Sequence, residues 1–538
     1  MARNSPYPDI DLSLVTFNSA RWIEDFFSSL CAQSYPLNKI HVFIRDNGST
    51  DGTISLLEDT GMYEKGFASL QLESGQNVGF GQGHNANLRN GHSPYFLVSN
   101  LDLRFETDAI TRIVVQALSD EATVASWEFR QKPFEHPKCY DPVTMQTKWS
   151  SSACVLFRRE AIVRVGGYEP RIFMYGEDVE LSYRLRAEGY VLKYHPYSVC
   201  WHYTYGAIGE VKPLQFIGSK LGNAYIRLRY GNWWQVLEII PLFMALLFLP
   251  QRFSGQRIGI LKAYRQLLCN ARYFLASRKS SIEDFPFNYF DYECSRLGAF
   301  YENLPLPSVL PLVSVLIHIA KDHQACLDGT IASVLNQTYP NIELIVVEDG
   351  SASYEKFIWE IAARGVLRSV KYSSIAAAEF SEVVNLALTG AQGEFICFLN
   401  DDGLFFADHI EVLVQELLVH DDIGAAYGAV GNVTIANERK DEDVCYNLAN
   451  CQYSEQMSLS QADCVPCHTV LFRKILFGKC VSLNNIFESI KIGVFTLNQT
   501  PDCKWYFVSK LTSLCRIPRP GSKGFFSDLK RRVGLYAK

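Results

Sequence analysis

The strongest constraint on this chain is that it repeats itself. Gln33-Ser34-Tyr35-Pro36 leads into the apolar run Ile40 to Ile44 and then Asp46-Asn47-Gly48-Ser49. Further on, Gln337-Thr338-Tyr339-Pro340 leads into Leu344 to Val347 and then Glu348-Asp349-Gly350-Ser351. Each reads as a helix end, a turn, a buried strand and a polar turn containing glycine. The same signals in the same order predict two copies of one α/β domain. The length of 538 residues accommodates them. At roughly 150 residues per domain it suggests three or four units, here two large ones at 1–205 and 311–538 with a helical connector at 206–310.

Composition narrows the class. A hydrophobic fraction of 48% with 20% charged residues is that of a globular chain, and a formal charge of -6 gives no electrostatic case for nucleic acid. Met1 to Asp11 lacks the apolar core of a secretory signal, so the fifteen cysteines are expected to be reduced thiols in the cytoplasm. Cys464-Val465-Pro466-Cys467-His468 has the spacing of a haem attachment, and with Cys445 and Cys451 nearby zinc is the alternative to plain thiols. Trp233 to Pro250 is strongly apolar but interrupted by Gln235, Glu238 and Pro241, too short for the ~20 residues that span a bilayer. With Arg227, Arg229, Arg252 and Arg257 flanking it, the segment 227–257 fits peripheral contact with an anionic inner leaflet; the alternative is a helix packed in the interior. Asn223, Arg227 and Arg229 suit either the diphosphate of a lipid-linked acceptor or ordinary helix charges.

The chemistry concentrates in the first half. Ile10 to Phe17 reads as a strand ending in Thr16-Phe17-Asn18-Ser19, followed by helical spacing at Trp22, Ile23, Phe26, Phe27 and Leu30. Ligands of open parallel sheets sit beyond the carboxyl ends of the strands, so Thr16 and Asp46 are expected in one crevice. Asn77-Val78-Gly79-Phe80-Gly81-Gln82-Gly83-His84-Asn85-Ala86-Asn87 is read as a flexible loop closing over a sugar nucleotide. Tyr95 to Val98 forms a short strand ending in Ser99-Asn100-Leu101-Asp102, where a carboxylate can hold a divalent cation against a diphosphate. Gly166-Gly167-Tyr168 and Tyr175-Gly176-Glu177-Asp178 set paired carboxylates at a helix start, either as a general base or as an ordinary acidic first turn. Cys200-Trp201-His202-Tyr203 places a histidine that is structural unless another ligand faces it.

Taken in order, Thr-Phe-Asn, Asp-Asn-Gly-Ser-Thr-Asp-Gly-Thr, Asn-Val-Gly-Phe-Gly, Asn-x-Asp, Gly-Gly-Tyr, Tyr-Gly-Glu-Asp-Val-Glu-Leu and Trp-His resemble the bacterial family-two glycosyltransferases of GT-A fold. The rhamnosyltransferase and galactofuranosyltransferase branch is the most similar. The resemblance implies tandem Rossmann-like GT-A domains and an inverting transfer from a nucleotide-sugar donor, dTDP-rhamnose first and UDP-galactofuranose second, to a glycan or lipid-linked acceptor. It implies Mg²⁺ or Mn²⁺ at Asp102 and His202, Asp178 as base with Glu177 beside it, and a nucleotide set of Thr16, Asn18, Asp46, Asn77 and Asn100. The motif departs from the family in Asn100, an amide where the first acid is expected.

The second half keeps less. Val470-Leu471-Phe472-Arg473 echoes Val155-Leu156-Phe157-Arg158, and Glu348, Asp401 and Asp402 leave nucleotide or metal binding open. His318-Ile319-Ala320 replaces the polar turn, however, and Glu488-Ser489 stands where Glu177-Asp178 is expected. A serine there cannot act as base unaided, so the second domain is expected to be degenerate. A bifunctional enzyme and a noncatalytic glycan-binding scaffold are the rival readings.

Overall fold

The computed structural model describes residues 7–59, 66–135, 138–203, 211–278, 301–319, 327–349, 353–375, 386–400, 403–435, 464–479 and 504–517, with Phe287, Arg296, Gly298 and short strands at 444–445 and 494–496. Two compact units emerge. The first comprises Met1–Tyr140 and Met145–Ser295, the second Asp141–Thr144 and Arg296–Lys538.

Unit 1 is built on a nine-stranded mixed sheet: β1 (Ile10–Thr16), β2 (Ile40–Asp46), β3 (Ser69–Ser74), β4 (Tyr95–Ser99), β5 (Leu103–Phe105), β6 (Val124–Lys132), β7 (Gln146–Thr147), β8 (Cys154–Arg158) and β9 (Val191–His202). The order is β3-β2-β1-β4-β8-β6-β9-β5, with β7 against β9. The half from β3 to β4 is parallel, and β8 enters antiparallel. Parallel strands are covered on both faces, which is why β1 is buried almost throughout, polar Asp11 and Ser13 included. The helices that cover it are α1 (Ile23–Cys31), α2 (Thr53–Asp59), α3 (Phe80–Asn90), α4 (Ala109–Ser119), α5 (Arg159–Arg164) and α6 (Glu177–Ala187).

Unit 2 repeats the plan with β10 (Val313–Ile319), β11 (Ile342–Asp349), β12 (Ser369–Ile375), β13 (Phe395–Asn400), β14 (Gly403–Phe405), β15 (Ala425–Ile435), β16 (Val444–Cys445), β17 (Cys464–Pro466), β18 (Val470–Arg473), β19 (Val494–Thr496) and β20 (Trp505–Ile517). Its main sheet runs β12-β11-β10-β13-β18-β15-β20-β14, strand for strand the order of unit 1. The echo in the sequence has a physical basis. Gln33 Nε2 donates to the carbonyls of Ser29 and Glu106 while its Oε1 accepts from the Ile110 amide; Gln337 does the same with Ser333, Phe406 and Ile410. The hydroxyls of Tyr35 and Tyr339 reach back to Pro8 and Pro311. The repeated Gln-x-Tyr-Pro is therefore a buried brace that closes a helix end onto the sheet.

Two sequence expectations change. The segment from Phe80 is helix α3, its glycines answering to contact: a Cβ on Gly81 would meet Tyr168 at 2.8 Å and one on Gly83 would meet Val15 at 2.7 Å. Close packing has overridden poor helix propensity. The reading of 206–310 as a connector also changes, because α7 (Pro213–Tyr230), α8 (Trp233–Leu237), α9 (Ile239–Phe248) and α10 (Gln256–Ala276) fall within unit 1. Gly218 and Gly222 bring α7 onto the backbone of Met174 and Tyr175, just before α6; a Cβ on Gly222 would lie 2.4 Å from the Tyr175 carbonyl oxygen. Gly222→Ala is expected to destabilise unit 1 by about 1–3 kcal/mol. Gly52→Ala, whose Cβ would touch nothing within 4 Å, serves as the neutral control in the same thermal unfolding measurement.

Candidate active site

The carboxyl ends of β1 and β2 lie side by side, Thr16 opposite Asp46. Their turns are knitted together. Asn18, at φ 54, accepts from the Thr50 amide through Oδ1, and its own amide donates to Ser49 Oγ. Asp46 is wholly buried and saturated: it accepts from the Gly48 amide at 2.9 Å, the Ser49 amide and hydroxyl, and Ser74 Oγ at 2.8 Å. Its carboxylate shapes the turn that a ligand would meet. Asn77 Oδ1 accepts from the Gly79 amide, and Asn47 Nδ2 donates to the Gly79 carbonyl, fixing the start of α3 on the same rim. Thr16 Oγ1 differs from these groups in being buried without a hydrogen-bond partner.

A second cluster forms where β4, β5 and β9 end. The Asn100 amide donates to Ala153, and Asp102 precedes β5, which pairs Leu103 with His202. His202 Nδ1 lies 2.8 Å from Gln131 Oε1, an oxygen that can only accept, so Nδ1 is the donor of that pair. That Nε2 faces Asp102 Oδ1 at 3.3 Å, off the line of a hydrogen bond. A carboxylate oxygen beside a buried imidazole nitrogen that makes no hydrogen bond fits a divalent cation, with Gln131 as the outer group that orients the imidazole. Among the described residues no third His, Cys, Asp or Glu joins them.

The paired acids occupy the first turn of α6, after Tyr175 and Gly176 at φ 70 and 100. Asp178 accepts from the Val179 amide at 2.8 Å and the Ser152 amide at 3.4 Å, and Ser152 adjoins the Ala153 carbonyl that holds Asn100. One turn thus links the acids to the Asp102 cluster. Burial, with Asp178 adjacent, pushes the Glu177 carboxyl up to about 8, and its Oε2 has no partner. Burial also raises Asp178, opposed by the Val179 and Ser152 amides and by Lys138. Of the two, Asp178 is the more accessible and the one that backbone amides hydrogen-bond, which favours its carrying the charge over Glu177. Lys138 is itself buried against Glu128 and the Trp149 ring, while Glu128 accepts from the Ser151 amide. Neither Gln131 nor Lys138 stood out in the sequence, since a strand-end amide and a loop lysine belong to no motif.

The helix bearing these acids is clamped from behind. Arg229 on α7 meets Glu180 at 2.5 Å and Glu169 at 2.7 Å, donates to Ser277 Oγ, and is itself buried. Arg184 forks onto Glu180 and donates to the carbonyls of Val165 and Gly167. Arg227, also fully buried, pairs with Glu238 at 2.7 Å and Asn223 at 2.8 Å. Both arginines are buried and engaged within the unit, Arg229 by the buried Glu180 and Glu169 and Arg227 by the buried Asn223 and the exposed Glu238.

In unit 2, Ile319 stands at the position of Thr16, and Glu348 at that of Asp46. Glu348 accepts from the Ser353 and Tyr354 amides and from the Tyr372 hydroxyl, a capping role. Asp401, Asp402 and Glu488 lie outside the described residues, as does Cys451. Cys467 and His468 are buried in a single turn after β17, and no metal-ligating trio forms among the described residues.

Comparison with known proteins converges on this arrangement. The family model described as Glycosyl transferase family 2 matches residues 12–160 and again 314–478, together more than half of the chain. Among curated relatives, an N-acetylglucosaminyl-diphospho-decaprenol L-rhamnosyltransferase of Mycobacterium tuberculosis is 33% identical over 115 residues, 21% of this chain and 34% of that protein. The UDP-Glc:alpha-D-GlcNAc-diphosphoundecaprenol beta-1,3-glucosyltransferase WfgD of Escherichia coli is 30% identical over 151 residues, 26% of this chain and 56% of that one. The matches thus span between a third and just over half of those relatives. A solved structure, the mannosyltransferase PcManGT from Pyrobaculum calidifontis in complex with GDP-Man and Mn²⁺, aligns at a TM-score of 0.34 and 19% identity over 51% of this chain and 76% of that one. With the family pattern met twice, once on each sheet of the same strand order, the chain belongs to glycosyl transferase family 2.

Proposed function

We propose that unit 1 is an inverting glycosyltransferase that moves a sugar, rhamnose from dTDP-rhamnose, onto a lipid-linked glycan of the bacterial cell surface. The observation that bears most weight is the pairing of Glu177 and Asp178 in the first turn of α6, joined through the Ser152–Ala153 turn to the segment that carries Asp102. The rhamnosyltransferase among the relatives supports the choice of donor. Asp178 accepts the proton of the acceptor hydroxyl as its oxygen bonds to the anomeric carbon; the bond from that carbon to the diphosphate breaks, and the nucleoside diphosphate leaves with the electron pair. Thr16 Oγ1 and the 46–53 turn receive the nucleotide. Asp102 and His202 would hold a divalent cation, Mg²⁺ or Mn²⁺, which would supply positive charge to the diphosphate as it departs. Glu177, raised to about 8 by burial beside Asp178, favours placing the negative charge of the pair on Asp178. Unit 2 is assigned a noncatalytic role, supported by Ile319 and by the capping duty of Glu348.

Three measurements test this reading. Asp178→Asn is expected to lower transfer by about 10²–10⁴-fold with donor affinity nearly unchanged; unaltered transfer would remove Asp178 as base. Gln131→Leu is expected to raise the Mn²⁺ concentration needed for half-maximal donor turnover by about 10–100-fold, because His202 loses its orienting partner. Glu177→Gln addresses the pH dependence. The wild-type carboxyl titrates near 4.5 when unfolded and at about 8 when folded, so between those values the unfolded chain binds fewer protons and stability falls as pH rises. The variant escapes this loss. Its Tm relative to wild type is expected to climb from pH 4.5 to about 8 and then level off, and a flat difference would contradict the buried, protonated Glu177.

A further inference from the structure

Helix α9 reads Ile-Ile-Pro-Leu-Phe-Met-Ala-Leu-Leu-Phe, without one polar side chain. A helix apolar on every side is normally buried on every side. Here only one face is: Ile239, Phe243 and Leu246 pack with Ile260, Ala263, Leu267 and Phe274 of α10. The other face lies open. Ile240, Met244 and Phe248 of α9 are exposed, continuing from Trp233, Trp234 and Leu237 of α8, with Trp234 at 77% and Phe248 at 76%. Isolated exposed apolar residues are ordinary, whereas a run of this density marks a binding surface. It is not a crossing segment, since no helix among the described residues is long and apolar enough to span a bilayer.

Charge identifies what covers it. From Trp233 to Arg278 the only acid is Glu238, and it is engaged by the buried Arg227. Along α10, Arg257, Ile258, Leu261, Lys262, Arg265, Leu268 and Arg272 recur at three- and four-residue steps on one exposed face, opposite the buried Ile260, Ala263 and Leu267. Cations interleaved with aliphatic side chains and preceded by exposed tryptophans complement a surface that is anionic outside and apolar just beneath. A protein partner would need a matching acidic and apolar face; a bilayer with acidic headgroups offers both at once.

We infer that the exposed faces of α8, α9 and α10 form a docking surface for an anionic lipid bilayer. The inference agrees with, and in its purpose rests on, the reading of unit 1 as a transferase with a lipid-linked acceptor. It replaces the buried Arg227 and Arg229 by Arg257, Lys262, Arg265 and Arg272 as the residues that meet headgroups.

The test is co-sedimentation of the full chain with vesicles of phosphatidylcholine alone or mixed with phosphatidylglycerol. Binding is expected to be at least about tenfold stronger with phosphatidylglycerol and to weaken with added salt. Arg257→Glu/Lys262→Glu/Arg265→Glu, all at exposed positions, should lose about tenfold or more. Trp234→Ala/Phe248→Ala should lose a similar factor through the apolar contribution. Wild-type binding that neither variant weakens, or no binding at all, overturns the inference. So does a concentration-dependent dimer that Trp234→Ala/Phe248→Ala abolishes in the absence of vesicle binding, which would give the face to a second copy of the chain. Release of free nucleoside diphosphate from the donor, measured without acceptor on the same proteins, is expected to persist in every variant. Release without vesicle binding sinks this inference and leaves the transferase standing; vesicle binding without release does the reverse.

Discussion

Glu180 is the point on which unit 1 turns. Its carboxylate is wholly buried, and burial alone would keep it protonated; Arg184 and Arg229 outweigh that and hold it below its usual range. A buried ion of this kind survives only with its partners in place, and removing one from such a network typically costs about 3–5 kcal/mol. Three segments therefore cannot part. α6 supplies Glu180 and Arg184, α7 supplies Arg229, and the loop from Val165 to Glu169 is held by both arginines. Asp178 lies two residues from Glu180, so the direction in which the paired acids point is set from behind the helix as much as from the crevice.

Satisfied and unsatisfied groups divide the candidate site. Asp46, Asn18 and Asn77 accept hydrogen bonds from neighbouring backbone amides and, at Asp46, hydroxyls, building a rigid rim. Thr16 Oγ1, Glu177 Oε2 and His202 Nε2 are buried without such bonds. Groups of the second kind are costly to keep and cluster where a ligand or ion completes them. The first kind are no less necessary, because they hold the backbone against which those atoms are aimed.

Much of this was legible beforehand. The doubled sheet followed from the repeated Gln-x-Tyr-Pro and strand signals, and the two ends of the Asp102–His202 contact were both named although a hundred positions of sequence divide them. What escaped has identifiable physical causes. Helix α3 was hidden because its glycines answer to Tyr168 and Val15, contacts with no local signature. The share of α7 in the site was hidden for a similar reason, although Gly218 and Gly222, one helical turn apart, were the available clue. Arg227 and Arg229 stayed open between two readings because a basic residue beside apolar sequence looks the same whether it faces headgroups or a glutamate of its own fold.

The braces at Gln33 and Gln337 differ in nothing that matters to folding, while Thr16 and Ile319 differ in everything that matters to a polar ligand. A chain with two copies of one scaffold contains its own control experiment. Whatever recurs in both copies answers to the demands of the architecture, and whatever is confined to one answers to its occupation. The brace is thus indifferent to what the neighbouring strand end presents: unit 2 keeps it with an isoleucine where unit 1 has a threonine.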